Sequence, residues 1–190
     1  MRVAETARAA AVIAHPHPPQ GGTMHNPVIY HADRELHRIG FTTLRFNFRG
    51  VEGSEGKFDD GLGELDDLAA AVAFMRLEAP FLPLILIGYS FGAWCAARLA
   101  EADSGIEGFV AIGLPTFYHD FDELERLGRP VAVVQGGEDD LGRLEDVAPL
   151  LARCDPPGKL YVVEGCGHLF PGRTAEAGAL VAKAGEEMLP

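Results

Sequence analysis

Residues 84–100, LILIGYSFGAWCAARLA, guide the interpretation of the rest of this chain. The stretch begins as a continuous run of Leu and Ile, which is typical of a strand buried on both faces, and continues as an Ala-rich segment of helical character. Ser90 stands at the junction of the two. A hydroxyl group at that position is explained if the chain turns sharply from strand to helix and exposes a nucleophile.

Two glycines flank this serine and strengthen that interpretation. In such a tight turn the nucleophile adopts a strained backbone conformation, and side chains two residues away on either side would collide with neighbouring backbone. Gly88 and Gly92 remove both collisions. The pattern G-x-S-x-G also occurs in ordinary turns, but its place between an apolar strand and a helix favours a nucleophile elbow at Ser90 over a purely structural turn.

The apolar run before Ser90 is one of several along the chain, and helical patterns lie between them. The runs occupy residues 10–15, 42–48, 82–88, 106–113, 130–136 and 159–165. Because their hydrophobicity is continuous rather than alternating, they predict an α/β fold with a mostly parallel sheet of about six strands. With 190 residues, of which 47% are hydrophobic, the chain can bury one full core, so we predict a single domain over residues 1–190.

Capping residues mark the helices between the predicted strands. Asn26 is expected to be the N-cap of the first helix, Pro27 its first residue, and Gly40 the residue just after its end. A second helix is predicted over residues 64–78, with acidic residues in its first turn. Further helices are predicted from residue 91, in the short segment 121–127, over 144–152 and over 174–188.

The charge of the chain limits the kind of partner it can have. The formal net charge is −12 at pH 7, and the 16 Lys and Arg residues form no dense run. Nucleic-acid phosphates and anionic membrane surfaces both favour clustered basic residues. We therefore expect no nucleic acid and no membrane as a partner, and we expect a small molecule instead.

The cysteines and the N-terminal residues bear on the compartment. The chain has 3 cysteines, Cys95, Cys154 and Cys166, an odd number in a domain large enough to do without disulfides, which predicts free thiols in a reducing compartment. The apolar run near the N-terminus is shorter than the core of a signal peptide and far shorter than a membrane span. We therefore predict a cytoplasmic protein.

A serine nucleophile needs a base, and the base needs a carboxylate that orients it. Glu138, Asp139 and Asp140 follow the fifth predicted strand, and His168 follows the sixth. The order Ser, acid, His is the one expected for this kind of elbow. We predict a triad of Ser90, Asp139 and His168, with Asp140 as the first alternative for the acid and Glu138 as the second.

A serine that attacks a carbonyl group also needs two backbone N–H groups, which stabilise the oxyanion that forms on the carbonyl oxygen. Phe91, the residue after the nucleophile, supplies one. The segment HPHPPQGG, residues 15–22, follows the first predicted strand, and because its prolines carry no N–H, the second donor must come from His17, Gln20 or the glycines. We select His17. The His15-x-His17 pair has no third ligand at a suitable spacing, so we predict no metal and no cofactor.

Taken together, these motifs resemble those of the α/β-hydrolase superfamily, and within it those of small bacterial carboxylesterases and dienelactone-hydrolase-like proteins. The matching segments, in chain order, are HPHPPQGGTMHNPVI, GFTTLRFNFRGVEGSEGKFDDGLGELDDLAAAVAFM, LILIGYSFGA, VVQGGEDD and GCGHLFPG. The resemblance implies a three-layer fold around an eight-stranded sheet. It also implies an enzyme that hydrolyses ester bonds through an acyl-serine intermediate. It also implies that Ser90, Asp139 and His168 occupy the triad positions.

The chain departs from this superfamily in two places. The strand that is ordinarily third is preceded by very few residues, so the first two strands are expected to be reduced or missing. The exposed sheet edge would then be covered by the first residues of the chain or by a second copy in a homodimer. The short segment LPTFYHDFDELERLGR also leaves no room for a cap domain. We predict an open substrate pocket bordered by Phe117, Tyr118, His119 and Phe121, the alternative being that these aromatic residues fill the core.

Several functions remain compatible with these residues. The same triad serves thioesterases, peptidases and acyltransferases, because an acyl-enzyme intermediate is common to all of them. A protein of this fold can also bind a ligand without turnover. The complete set of nucleophile, acid, base and amide donors favours an enzyme that hydrolyses small carboxylic esters.

Overall fold

Six strands form one sheet in residues 1–189, which are the residues that the computed structural model describes. The strands are β1 (Ala9–Ala14), β2 (Phe41–Arg45), β3 (Leu84–Tyr89), β4 (Gly108–Ile112), β5 (Val131–Gly136) and β6 (Lys159–Val163). They lie in the order β2-β1-β3-β4-β5-β6, and every neighbouring pair is parallel. The predicted parallel sheet of about six strands is confirmed.

Helices cover both faces of the sheet. They are α1 (Pro27–Arg38), α2 (Leu62–Glu78), α3 (Phe91–Ala102), α4 (Glu123–Arg126), α5 (Leu144–Ala152) and α6 (Thr174–Glu186). The core divides accordingly, with α1 and α6 packed on one face and the other helices on the opposite face. In residues 1–189 no helix combines the length and apolar character needed to cross a membrane.

Continuous hydrophobicity in the strands follows from this three-layer arrangement. In β1, Val12 belongs to the core beneath α2 and α3, whereas the next residue, Ile13, belongs to the core beneath α1 and α6. Since successive side chains of a strand point to opposite faces, strands in a sheet covered on both sides are apolar at nearly every position. β1, β3, β4 and β5 are buried along their whole lengths.

Side-chain caps set the helix boundaries. Asn26 caps α1, as predicted, because its Oδ1 accepts a hydrogen bond of 2.9 Å from the Val28 N–H. The helix α2 begins at Leu62 rather than at residue 64. Glu64 acts from inside its first turn, where its carboxylate accepts hydrogen bonds from the backbone N–H groups of Gly61 at 2.8 Å and Asp59 at 3.0 Å.

The strand β2 is shorter than its apolar pattern predicts and ends at Arg45 rather than near residue 48. The reason lies in the next residues. The backbone N–H of Phe48 donates a hydrogen bond of 3.1 Å to Nε2 of His15, a side chain at the end of β1, instead of joining the strand ladder. The chain therefore leaves the sheet at this point.

The first residues of the chain cover part of the exposed edge at β2. Arg2 pairs with Thr43 in an antiparallel bridge, with N···O distances of 2.8 and 2.9 Å. The buried Asp33 stabilises this arrangement, because its carboxylate accepts hydrogen bonds of 2.6 Å from both Arg2 and Thr43 and lies 3.1 Å from Arg45. The chain's own N-terminal residues thus pair with this edge, and a homodimer stays a prediction.

Candidate active site

Ser90 occupies the sharp turn between β3 and α3. Its φ of 54° and ψ of −118° lie outside the regions that residues with a side chain ordinarily adopt. A Cβ atom at position 88 would lie 2.3 Å from the carbonyl oxygen of Gly92, and one at position 92 would lie 2.5 Å from that of His15. Both glycines are therefore required for the elbow, as predicted.

His168 reaches this serine from the loop after β6. Its Nε2 lies 2.8 Å from the Oγ of Ser90. Two residues at the ends of neighbouring strands position it. The hydroxyl of Tyr89 donates a hydrogen bond of 2.9 Å to the His168 carbonyl, and a Cβ atom at Gly113 would lie 3.1 Å from the imidazole. Tyr89 thus holds the backbone of His168, and the absence of a side chain at Gly113 leaves room for the imidazole.

Asp139 is the carboxylate that the structure brings to the imidazole. Its Oδ2 lies 2.8 Å from Nδ1 of His168, and its side chain is fully buried. Its Oδ1 accepts hydrogen bonds from the backbone N–H groups of Leu141 at 2.9 Å and Gly142 at 3.2 Å. The two alternatives for the acid, Asp140 and Glu138, are exposed.

Gln135, which was not among the predicted site residues, is buried near the end of β5. Its side-chain amide donates a hydrogen bond of 2.8 Å to Oδ2 of Asp139. A signal was present in the sequence, because this glutamine is the one polar side chain in the strand VAVVQG. A buried polar group in an apolar strand needs a hydrogen-bond partner, and here that partner is the carboxylate beside His168.

The loop after β1 leaves one free backbone donor near the serine. The N–H groups of Gln20, Gly21 and Gly22 all donate to carbonyl groups inside their own turn, at 3.0–3.1 Å. Within residues 1–189, the N–H groups of His17 and Phe91 donate to no protein acceptor. Both residues line the same cavity as Ser90. The arrangement can therefore present two N–H groups to a bound oxygen atom.

The side chain of His15 holds the loop after β1 in place. Its Nε2 accepts the hydrogen bond from the Phe48 N–H, so its Nδ1 carries the proton and donates to the carbonyl of Pro16 at 2.7 Å. Burial lowers the pKa of His15 from 6.5 to about 4, which keeps the ring neutral near pH 7. Both ring nitrogens are engaged in joining the loops after β1 and β2.

A cavity of about 670 Å³ opens above the serine at the carboxyl ends of the strands. The loops after β1, β3, β4, β5 and β6 all contribute to its wall, as expected for a parallel sheet. Tyr118 and His119, two of the four predicted pocket residues, lie on that wall. Asp140 is the only Asp, Glu, Lys or Arg among the described residues that line it.

The other two predicted pocket residues lie elsewhere. Phe121 is only 3% exposed and packs in the core with Leu124 of α4, so it fills the interior rather than the cavity wall. Phe117 is 75% exposed and is absent from the wall. Its backbone N–H donates to the Leu141 carbonyl at 2.9 Å, and its ring lies against that of Tyr118, with 5.1 Å between the ring centroids.

Comparisons with known proteins agree with this geometry. The model of the family described as alpha/beta hydrolase domain matches residues 7–183. The uncharacterized protein RP471 of Rickettsia prowazekii is 36% identical over 175 residues, which are 87% of this chain and 74% of that protein.

Two solved structures are also similar. An alpha-beta serine hydrolase homologue from Coxiella burnetii is 33% identical, with a TM-score of 0.88 over 96% of this chain and 88% of that one. XC6422 from Xanthomonas campestris, described as an α/β serine hydrolase without lid, is 31% identical, with a TM-score of 0.88 over 98% of this chain and 85% of that one. Because the family model spans nearly the whole sequence and these relatives share its fold, this chain belongs to the α/β-hydrolase family.

Proposed function

We propose that this protein is a serine hydrolase that cleaves small, uncharged carboxylic esters through an acyl-serine intermediate. One observation carries the proposal: Ser90, His168 and Asp139 form a continuous hydrogen-bonded row, with 2.8 Å at each of its two contacts. The similarity to one protein described as a serine hydrolase homologue and to another described as a serine hydrolase without lid supports the same reaction class.

In this proposal His168 removes the proton of Ser90 as the serine oxygen attacks the ester carbonyl. The imidazole becomes positively charged at that moment. Asp139 stabilises that charge and holds the ring with Nε2 directed at the serine. Because its Oδ1 is bound by two backbone N–H groups, the carboxylate does not need to reorganise during the reaction.

The developing oxyanion is stabilised by the N–H groups of His17 and Phe91. Donors that are already in place contribute on the order of 10²–10³ in rate for each one, because nothing has to move when the charge forms. His15 and the prolines of residues 15–22 hold the first of these donors. His168 then returns its proton to the leaving alcohol, and a water molecule activated by the same ring releases the acid.

The charge of the cavity wall supports uncharged substrates. Asp140 is the only Asp, Glu, Lys or Arg among the wall residues that the structure describes, so no wall cation would pair with a substrate carboxylate. The imidazoles of His17 and His119 also line the cavity, and burial lowers the pKa of both, so they are neutral near pH 7. An ester that carries its own carboxylate would meet repulsion from Asp140 without compensation.

The test is the mass of the intact protein after exposure to a fluorophosphonate, together with hydrolysis of short p-nitrophenyl esters. We expect one adduct on the native protein and none on Ser90→Ala, with turnover lost by roughly 10⁶-fold. Ser104→Ala, which changes an exposed serine in a turn, is the matched control and should react like the native protein. A folded native protein that gains no adduct would overturn the proposal in favour of a ligand-binding role.

Thioesters and amides are separated from esters by competition. Ester, thioester and peptide substrates of matched acyl group are offered together, and the products are quantified. We expect the ester product to dominate. A larger kcat/KM for the thioester or the peptide would contradict the ester assignment while leaving the serine mechanism in place.

A further inference from the structure

Gln135 has an unusual position for a polar residue. It lies in β5 among fully buried neighbours and is itself 0% exposed. A primary amide removed from water in this way destabilises the fold unless its hydrogen bonds are replaced. The hydrogen-bond partners of the side chain all lie in the loops that build the candidate site.

The amide joins two of these loops. Its Oε1 accepts a hydrogen bond of 2.8 Å from the Leu114 N–H, at the start of the loop after β4. Its Nε2 donates to Oδ2 of Asp139 at 2.8 Å and to the carbonyl of Gly142 at 2.7 Å, both in the loop after β5. The partners define the orientation of the amide, because its NH₂ group must face the carboxylate and carbonyl oxygens and its Oε1 must face the Leu114 N–H.

Neighbouring contacts close the same two loops together. The Phe117 N–H donates to the Leu141 carbonyl at 2.9 Å. A Cβ atom at Gly142 would lie 1.8 Å from the Leu114 carbonyl oxygen and 2.6 Å from Nε2 of Gln135, so the loops approach as closely as a glycine allows. The carboxylate of Asp139 and the cavity wall after β4 are therefore held as one unit, with the glutamine at its centre.

The oxygen that Gln135 contacts is the one that faces His168. Oδ2 of Asp139 receives both the amide N–H and the contact with His168 Nδ1, while Oδ1 is bound by backbone. The amide thus fixes the direction in which Oδ2 points. The amide N–H and the imidazole therefore both stabilise the negative charge of that oxygen.

We propose that Gln135 is a positioning residue that orients the carboxylate of Asp139 toward His168 and joins the acid loop to the cavity wall. The proposal rests on the proposed serine hydrolase function. Gln135 neither contacts the serine nor lines the cavity, so it acts through the aspartate and through the two loops that its amide joins.

The first test replaces the amide with an apolar side chain of similar length, Gln135→Met. We expect kcat to fall by roughly 10- to 100-fold while KM changes less than about threefold, because the catalytic geometry loosens and the cavity remains. We also expect the acidic limb of the pH–rate profile to move to higher pH, since Oδ2 without its amide partner stabilises the protonated imidazole better. Val133→Ala is the matched control, because it loosens the same face of the same strand without touching the aspartate.

A second variant, Gln135→Glu, covers the case in which the methionine does not fit. When protonated, the introduced carboxyl can donate to Asp139 as the amide does. When ionised, it repels Asp139 and donates nothing. We expect its activity relative to the native protein to fall as the pH rises, which a loss of packing alone would not produce.

A readout that needs no turnover completes the experiment. The proton between His168 Nδ1 and Asp139 is followed as a downfield resonance in the ¹H spectrum of the free protein, and we expect Gln135→Met to shift or lose it and Val133→Ala to retain it. A retained resonance in Gln135→Met, or kinetics equal to those of Val133→Ala, would overturn the positioning role. A native protein with the resonance but without a fluorophosphonate adduct would refute the hydrolase instead, and the spectra would still decide the role of Gln135.

Discussion

Asp139 and Asp140 are neighbours in the chain, yet their carboxylates lie in opposite environments. The side chain of Asp139 is fully buried and lies 2.8 Å from Nδ1 of His168, whereas Asp140 is exposed on the wall of the cavity. Buried carboxylates need several hydrogen-bond donors, and backbone and side-chain N–H groups supply them to the first of the two. We therefore predict that a substitution of Asp139 changes kcat and that a substitution of Asp140 changes the preference between anionic and neutral substrates.

Replacing Asp139 removes the charge that stabilises the imidazole. We expect Asp139→Asn to lower kcat for p-nitrophenyl esters by on the order of 10³–10⁴, because the amide favours the wrong tautomer of His168. Glu138→Gln removes a charge one residue away and should change kcat less than about threefold. Circular dichroism verifies that both variants fold. Comparable losses in the two variants would mean that net charge, and not the contact with His168, is responsible.

Asp140 is expected to select against anionic substrates. We compare p-nitrophenyl butyrate with the p-nitrophenyl monoester of succinate. In the second compound a free carboxylate replaces the terminal methyl group of the first. In Asp140→Asn the ratio of kcat/KM for the anionic over the neutral ester should rise by about 3- to 10-fold at low ionic strength, and added salt should reduce that gain. Glu138→Gln again serves as control. A ratio that rises equally in both variants would assign the effect to overall charge.

The elbow is expected to tolerate no side chain at Gly92. A Cβ atom there would lie 2.5 Å from the His15 carbonyl oxygen and 2.6 Å from that of Ala14. Because both contacts are with backbone, relief requires the strand and helix to separate, and we expect Gly92→Ala to lower the free energy of unfolding by about 2–4 kcal/mol. Gly53→Ala, where no atom lies within 4 Å of the added carbon, is the control in urea unfolding. Equal stability of the two variants would show that the elbow can relax.

The lowered pKa of His15 predicts how the free energy of unfolding depends on pH. Burial lowers its pKa from 6.5 to about 4 in the folded protein, so between these values the unfolded chain binds the extra proton. The stability contributed by the neutral ring is complete above pH 6.5 and is lost as the pH falls toward 4, a change of about 3 kcal/mol.

Urea unfolding between pH 4.5 and 7.5 measures this dependence. His15→Asn should show a slope smaller by the equivalent of nearly one proton, because the folded protein no longer excludes that proton. Parallel curves for the native protein and His15→Asn would contradict the assignment of this proton to His15.

Local patterns were sufficient for the fold and for the nucleophile. Strands buried on both faces are apolar at nearly every position, and the residues that cap α1 lie next to each other in the chain, so short stretches of sequence predict both features. The elbow also has a local signature, because the glycines that it requires lie two residues either side of Ser90, although the backbone that excludes a side chain at Gly92 belongs to the end of β1. The order of Ser90, the acidic cluster and His168 follows from where each strand ends.

Contacts between distant loops were beyond the reach of sequence patterns. Which of two adjacent aspartates turns inward depends on N–H groups and on a glutamine that the folded chain brings around the carboxylate. Similarly, Tyr118 lies on the cavity wall and Phe121 in the core because of how the loop after β4 packs, not because of any difference in their hydrophobicity. Sequence periodicity records which face of a strand or helix is buried, whereas the direction of a loop side chain is settled only when separate loops meet.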